Sequence, residues 1–146
     1  MHFNFAILQM IQKKTKIQVF EPSVNTKNLS IRFKKHGIYH VKVHDNELFT
    51  LDFFPLSLKF REEHPHHKPI LLLFEFGKFS SVDAETREFS SRREGSPFLA
   101  EAVVVTNLAQ RLLVKHYAKI MNERGVKVSV FNDTNSAIAW LKSINT

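Results

Sequence analysis

The sequence predicts an α/β domain built on a mixed β-sheet, and two patterns carry this prediction. An apolar–polar alternation on both sides of Gly37 indicates an antiparallel hairpin with one buried face. Farther on, two almost continuous apolar runs, 69–76 and 100–106, alternate with helical segments, as strands covered on both faces do. Strands that alternate with helices need crossover connections, so the later strands are expected to be parallel with right-handed crossovers.

The hairpin is predicted to pair residues 29–35 with residues 38–44, because apolar side chains fill alternate positions of both segments. Gly37 lies in the connecting turn, where glycine adopts a positive φ without steric cost. A short strand at Ile17–Phe20 is also expected, ended by Glu21-Pro22-Ser23. The sheet would then begin with antiparallel pairing and continue with parallel strands.

Four helices are predicted from apolar residues at helical spacing and from the residues that flank them. The first begins near Asp52, because Pro55 is tolerated only in a first turn. Asp83 or a preceding serine caps the second, and Asn107 caps the longest. The expected ranges are 50–63, 84–94, 108–122 and the segment opened by Asn132-Asp133, with a half-exposed strand at 126–130.

Length and composition indicate one globular domain. The chain has 146 residues, of which 43% are apolar and 24% charged, a globular profile rather than a disordered one. We expect residues 1–28 to form an N-terminal extension and residues 29–146 to form the domain. Phe3–Met10 is too short to span a bilayer and lacks the flanks of a signal peptide. A cytoplasmic protein without a membrane span is therefore expected.

The absence of cysteine and the distribution of charge exclude several classes of function. Without cysteine the chain forms no disulfide, no thiolate metal site and no thiol nucleophile. The formal charge of +7 comes from scattered lysines and arginines, with no zinc, glycine-rich or RNP-like motif beside them. We therefore expect a basic surface that attracts acidic partners, and no binding of nucleic acid.

Several segments resemble the STAS-like fold of bacterial anti-sigma-factor antagonists and of the wider STAS/SEC14 group. They are Gly37-Ile-Tyr-His-Val-Lys-Val43, Ile70–Phe76 leading into Phe79-Ser-Ser-Val-Asp83, Ala102-Val-Val-Val with Leu108-Ala-Gln-Arg-Leu-Leu113, and Val130-Phe-Asn-Asp with Ala137-Ile-Ala-Trp-Leu141. The resemblance extends over residues 29–144. It implies a mixed sheet with helices and a regulatory domain that binds another protein.

The family's switch is a serine in an Asp-Ser pair, which opens the helix after the central strand and is phosphorylated to control partner binding. The matching pair in this chain is Asp83-Ala84, which lacks the hydroxyl. Ser80 and Ser81 lie just upstream, where a phosphate would be favoured by the helix N-terminus. The alternative is that Ser80, Ser81 and Asp83 only cap the helix.

The segment Glu62-Glu63-His64-Pro65-His66-His67 carries side chains that can ligate metals. Pro65 breaks any helical spacing of these ligands and no HExxH order is present, so a solvated loop is expected instead of a metal site. The chain also has no G-x-S-x-G elbow, no P-loop and no G-x-G-x-x-G motif. We therefore expect no metal, no cofactor and no catalytic residues.

The longest predicted helix has a broad apolar surface. Its apolar side chains spread over an arc of roughly 240°, wider than the stripe of a surface helix. They are Ala109, Leu112, Leu113, Val114, Tyr117, Ala118, Ile120 and Met121. Either the helix is sunk between the sheet and a neighbouring helix, or part of the arc is an interface with a partner or a second subunit. His116 lies inside this arc and is expected in the core or the interface.

The sequence therefore predicts a non-catalytic regulatory or protein-interaction module, with another protein as partner and a homodimer as one form of that interaction. The candidate partner or regulatory surface consists of Ser80, Ser81, Asp83, Arg111, Leu113 and Tyr117. One alternative is a carrier or sensor of a lipid or small apolar ligand, in which the Phe-rich segment 49–60 lines a pocket. The third is an enzyme, which would need a cleft that unites histidine, serine and a carboxylate.

Overall fold

The computed structural model describes residues 21–65, 70–92 and 96–144. Within these ranges the chain forms eight strands and four helices. The strands are β1 (Ser23–Asn25), β2 (Leu29–Lys34), β3 (Ile38–Val43), β4 (Leu48–Phe49), β5 (Ile70–Phe76), β6 (Ser81–Val82), β7 (Phe98–Val104) and β8 (Lys127–Phe131). The helices are α1 (Phe53–Glu63), α2 (Ala84–Arg92), α3 (Leu108–Glu123) and α4 (Thr134–Ser143).

Six of the strands form one mixed sheet in the order β1-β2-β3-β5-β7-β8. The first three strands are antiparallel, and β3, β5, β7 and β8 run parallel to one another. The predicted mixed sheet is therefore confirmed. In addition, β4 and β6 form a short parallel pair beside the main sheet.

The hairpin is confirmed, with Lys34 opposite Ile38 at its closed end. His36 and Gly37 turn the chain with φ values of 65° and 73°, the left-handed region that favours glycine. The strand predicted at 17–20 lies outside the described residues. Within the described residues, β1 pairs with β2, so residues 23–25 of the expected N-terminal extension belong to the main sheet.

The helices follow their predicted flanking residues. α1 starts directly after Asp52 with Pro55 in its first turn, and α3 is followed by Gly125 at a φ of 85°. The predicted end of α2 at Gly95 lies outside the described residues. The strand that follows, β7, begins at Phe98, two residues earlier than expected. Among the helices that the structure describes, none is long and apolar enough to cross a membrane.

Two apolar layers cover the sheet. On one face, side chains of β2, β3, β5 and β7 pack with α1 and α3 in the larger core, which contains many of the chain's phenylalanines. On the other face, α4 packs through Ala137 and Leu141 on the small side chains Ala100 and Ala102 of β7. The β-strands in the middle are thus covered on both faces, as their continuous apolar sequence predicts.

α3 is less deeply packed than the width of its apolar arc suggests. Its buried positions form a single stripe, Gln110, Val114, Ala118 and Met121, the width that one covered face of a helix requires. Leu112 is exposed, so the helix is not sunk between two layers. His116 was expected in the core or an interface, and it is exposed instead, because α3 turns that side away from the sheet.

Candidate functional site

A cavity of about 380 Å³ lies between the sheet and helices α1, α2 and α3. Its walls are predominantly apolar, and six phenylalanines contribute to them. Those six are Phe49, Phe53, Phe54, Phe74, Phe76 and Phe98. The structure thus places part of the Phe-rich segment 49–60 in a pocket wall, as the ligand-carrier alternative requires. Concave sites of this size with few polar groups are typical of small-molecule binding.

One buried carboxyl group lies beside the cavity, among its apolar lining residues. Glu101 of β7 points to the same face as Val103, and its side chain is almost completely buried, with 1% exposure. The Tyr117 hydroxyl of α3 donates a hydrogen bond of 2.7 Å to Glu101 Oε1. A buried carboxyl is costly unless it has hydrogen-bond partners, and Tyr117 supplies one across the strand–helix gap.

The cavity opens between α2 and α3, where its exposed lining residues lie. Arg87 and Glu88 of α2 face this opening together with His116 of α3. Glu88 forms an ion pair with Arg92, four residues farther along α2. At the far end of both helices, Arg124 donates a hydrogen bond to the Ser91 carbonyl, which ties α2 to the region after α3.

A buried glutamine organises the carboxyl ends of β5 and β7. The Gln110 amide nitrogen donates to the carbonyls of Gly77 and Ser80, each at 3.0 Å. Its amide oxygen accepts from the Thr106 backbone N–H and hydroxyl, at 2.8 and 3.0 Å. The 77–80 loop and the start of α3 are therefore held together by one side chain.

Gly77 begins this loop at a point of close backbone contact. A β-carbon at Gly77 would lie 2.5 Å from the Val43 carbonyl oxygen and 2.7 Å from the Asp45 nitrogen, closer than any side chain tolerates. Asp45 Oδ1 accepts a hydrogen bond of 2.8 Å from the Lys78 N–H. The ends of β3 and β5 thus fix the entry into the loop.

The same loop presents an exposed aromatic side chain. Phe79 is 79% exposed and has a φ of 57°, a conformation that is costly for a bulky residue. On the neighbouring first turns of α3, Leu108 and Leu112 are 69% and 59% exposed. The Gln110 side chain joins this helix start to the 77–80 loop, and the three large apolar side chains exposed on these two segments, Phe79, Leu108 and Leu112, are called the apolar edge below.

The helix behind the apolar edge carries basic residues. Lys115 and Lys119 follow Leu108 and Leu112 on the same side of α3, at positions separated by three or four residues. Arg111 lies beside them and is partly buried. The exposed side of α3 is therefore apolar near its N-terminus and positively charged farther along.

Three of the predicted surface residues lie before α2, and they differ in accessibility. Ser80 is buried and its hydroxyl donates to the Gly77 carbonyl at 2.8 Å, so it is not a surface residue. Ser81 is exposed in β6. Asp83 caps α2 by accepting a hydrogen bond of 2.8 Å from the Thr86 N–H, and this bonding lowers the pKa of the Asp83 carboxyl.

The other three predicted residues lie on α3 and do not share one site. Leu113 and Tyr117 line the cavity, whereas Arg111 lies toward the apolar edge. The sequence interpretation missed Glu101, although a charged residue inside an apolar strand run is itself a signal. It also missed Gln110, whose position on the buried stripe of α3 could have identified it.

A separate polar cluster lies on the opposite face of the sheet. His40 Nε2 is 2.6 Å from Glu75 Oε2, and the Thr134 hydroxyl at the start of α4 donates to Glu75 Oε1. Burial alone would raise the pKa of Glu75, but the hydrogen bonds from His40 and Thr134 and the charges of His40 and Lys42 lower it to about 2. The cluster fixes α4 against β5.

Of the segment predicted to be a solvated loop, Glu62–His67, the structure describes residues 62–65, and His66 and His67 lie outside the described residues. Among the residues that are described, no group of three or more His, Asp or Glu side chains could hold a metal ion.

Comparisons with known proteins establish the fold and a family. A family model described as "Domain of unknown function (DUF7793)" matches residues 31–145. A crystal structure of an uncharacterised DUF3478-family protein with a SpoIIAA-like fold, from Shewanella loihica PV-4, is similar at a TM-score of 0.53. The two chains are 11% identical, and the match covers 85% of this chain and 97% of that one. The predicted STAS-like fold is thereby confirmed. No curated protein matches the chain.

Proposed function

Because the chain belongs to this DUF7793 family and has a SpoIIAA-like fold, we propose that it is a non-catalytic module that binds another protein through the apolar edge. The observation that carries the proposal is Phe79, a large aromatic side chain that is 79% exposed on a backbone with positive φ. Such a conformation persists only where the surroundings enforce it, and it occurs preferentially at functional sites.

The apolar edge has the properties of a preformed binding surface. The Gln110 amide holds the loop that carries Phe79 against the start of α3, so the aromatic anchor is presented without a large loss of conformational entropy on binding. Exposed aromatic and aliphatic side chains of this kind dominate the energetics of protein interfaces. The carboxyl ends of parallel strands are also where α/β sheets most often place their binding sites.

The charge next to the apolar edge favours an acidic partner. Arg111, Lys115 and Lys119 lie along the same part of α3, and the chain as a whole carries a formal charge of +7. A second copy of this chain would bring two basic helix faces together, which like-charge repulsion disfavours. The partner that fits is a different protein with acidic residues around an apolar pocket.

The roles of several polar side chains support a non-catalytic role for the protein. Gln110 and Ser80 bond backbone groups of one loop, and Asp83 caps a helix. The Tyr39 hydroxyl is paired with the Ser57 hydroxyl at 2.7 Å in the core, where burial raises the pKa of Tyr39 to about 12. Each of these groups is engaged in holding the fold rather than in presenting a nucleophile or base.

Quantitative affinity capture from a lysate of the native host tests the proposal. Immobilised wild type is compared with Phe79→Ser and with the matched control Leu58→Ser, which changes a 50% exposed leucine on α1. A protein bound through the apolar edge should be captured equally by wild type and by the Leu58 variant. It should be depleted about 30-fold or more by Phe79→Ser, the size of a hot-spot loss.

Analytical ultracentrifugation of the purified chain shows whether a second copy of the chain, rather than a different protein, covers the apolar edge. We expect a monomer at micromolar concentration. A dimer that dissociates on Phe79→Ser would show that a second copy covers the apolar edge and would refute the acidic-partner proposal. Capture of the same proteins in the same amounts by wild type and Phe79→Ser would refute the surface itself.

A further inference from the structure

We propose that the cavity between the sheet and helices α1, α2 and α3 is a second binding site, which takes an uncharged apolar molecule with a compact body of two or three rings. The cavity shares no residue with the apolar edge. The inference therefore stands apart from the proposed protein partner, and each of the two can fail without the other.

Helix α2 covers the cavity without filling it. The residues that it turns toward the cavity are small or polar, among them Ala84, Ser90 and Ser91. Its one large apolar side chain, Phe89, is 46% exposed and contacts Phe54 with ring centroids 4.5 Å apart. Protein interiors are otherwise close-packed. A helix that brings no large side chain to an apolar wall therefore leaves space for a small molecule.

The walls of the cavity favour an apolar occupant over water. A water molecule in a protein interior needs about two to four polar partners, and the lining of this cavity is predominantly apolar. The polar groups of Glu101 and Tyr117 already bond to each other at 2.7 Å, so the occupant is not required to bond either of them. Replacing poorly ordered water by an apolar group increases affinity.

The phenylalanine side chains of the wall define the shape of the occupant. Phe49 and Phe74 meet edge to face with ring centroids 5.0 Å apart, and Phe53 and Phe54 do so at 5.3 Å. An aromatic molecule can join such a cluster in the same edge-to-face geometry or in an offset stack. An apolar cavity of about 150 Å³ holds one benzene ring, so a cavity of about 380 Å³ fits a body of two or three rings.

The opening of the cavity gives no advantage to a charged molecule. Arg87 lies close enough to the Asp83 carboxylate to interact with its charge, and Arg92 forms an ion pair with Glu88. Each basic side chain of α2 thus has an acidic neighbour. A charged group would also lose its hydration between apolar walls, which costs far more than the burial of a neutral group. The site therefore selects uncharged molecules.

Two fluorescent probes that share one three-ring body test this selectivity. N-phenyl-1-naphthylamine is uncharged, and 8-anilino-1-naphthalenesulfonate is the same body with an added sulfonate. The full chain is titrated into a fixed low concentration of each probe, and the rise in probe fluorescence gives the Kd. We expect a Kd of about 1–100 µM for the uncharged probe, and binding of the sulfonate that is weaker by about tenfold or more. No saturable binding of the uncharged probe would overturn the proposal.

Two adjacent leucines of α3 provide a variant inside the site and a matched control outside it. Leu113 lines the cavity, whereas Leu112 is 59% exposed to solvent. Leu113→Trp should occupy part of the cavity and weaken binding of the uncharged probe by about tenfold or more. Leu112→Trp and Phe79→Ser should bind this probe as wild type does. If Leu113→Trp does not fold, Ser90→Leu reduces the same space from α2.

The variants also separate this site from the apolar edge. Binding of the uncharged probe that survives the cavity-filling variant, or that is lost in Phe79→Ser, would refute the cavity as the binding site. Sulfonate binding that is as tight as that of the uncharged probe, and equally sensitive to the cavity-filling variant, would refute the selectivity. The protein partner is tested independently, by affinity capture with Phe79→Ser.

Discussion

Gln110 is predicted to control both stability and the geometry of the apolar edge. Replacement by leucine keeps the side-chain volume but removes its hydrogen bonds to Gly77, Ser80 and Thr106. The Ser80 carbonyl loses its donor in a buried place, and the N–H of Thr106, an exposed residue, loses its acceptor. Each lost bond costs about 1 kcal/mol, and more where a buried group stays unsatisfied. We therefore expect Gln110→Leu to lower the free energy of unfolding by about 2–4 kcal/mol.

Urea unfolding measures the stability, and amide hydrogen exchange at Ser80 and Ser81 measures the loop. Both amides should exchange faster in the Gln110→Leu variant, because the loop is no longer tied to α3. The control is Asn107→Ala, which removes the side-chain cap on the same first turn and should cost about 1 kcal/mol. In this control, the exchange of the Ser80 and Ser81 amides should increase only as much as the lower global stability requires. A Gln110→Leu variant with wild-type stability, or with unchanged loop exchange, would contradict the described role of Gln110.

Three further predictions concern the scaffold. Glu75→Gln should lower the free energy of unfolding by about 1–3 kcal/mol at neutral pH, and by progressively less as the pH falls from about 5 to 2. The reason is that the lowered pKa of Glu75 stabilises the folded state only while the carboxyl is ionised. Urea titrations of both proteins at about pH 7 and about pH 2 test this, and the same difference in stability at both pH values would contradict it. In thermal melts, Gly77→Ala should lower the stability by about 3 kcal/mol or more, since its β-carbon would meet backbone at 2.5 Å. Gly125→Ala, whose β-carbon has nothing within 4 Å, should lower the stability by only about 1 kcal/mol because of its positive φ. Similar losses of stability in the two variants would contradict the steric origin. In absorbance titrations of the folded protein, Tyr39 should stay un-ionised until about pH 12. The free energy of unfolding should fall between about pH 10 and 12, because the phenol ionises first in the unfolded chain. Ionisation of Tyr39 near pH 10 in the folded protein would refute its burial.

The main sheet and the helices were predictable because their signals are long and local. The alternation in β2 and β3 spans six residues in each strand, and β5 is an almost continuous apolar run. By contrast, β4 and β6 have two residues each, too few for any period to be recognised. They form only because the folded chain brings two loops side by side.

The candidate sites were less predictable, because they depend on which side of α3 meets the sheet. The apolar arc of α3 was visible in the sequence, but not its division into Leu113 facing the cavity and Leu112 facing solvent. Phe79 was assigned no role, since an exposed phenylalanine cannot be told from a buried one by sequence pattern alone. Phe79 lies in a loop that Gln110 holds by bonding Ser80, 30 residues away in the chain.

Site-specific photocrosslinking in the native host tests the central claim most directly. A photoreactive phenylalanine analogue at Phe79 occupies the centre of the apolar edge, and the same analogue at Leu58 occupies an exposed position on another helix. We expect a discrete crosslinked protein, rich in acidic residues at the crosslinked surface, from position 79 and not from position 58. The same background pattern from both positions would contradict the assignment of the apolar edge as the binding surface of this protein.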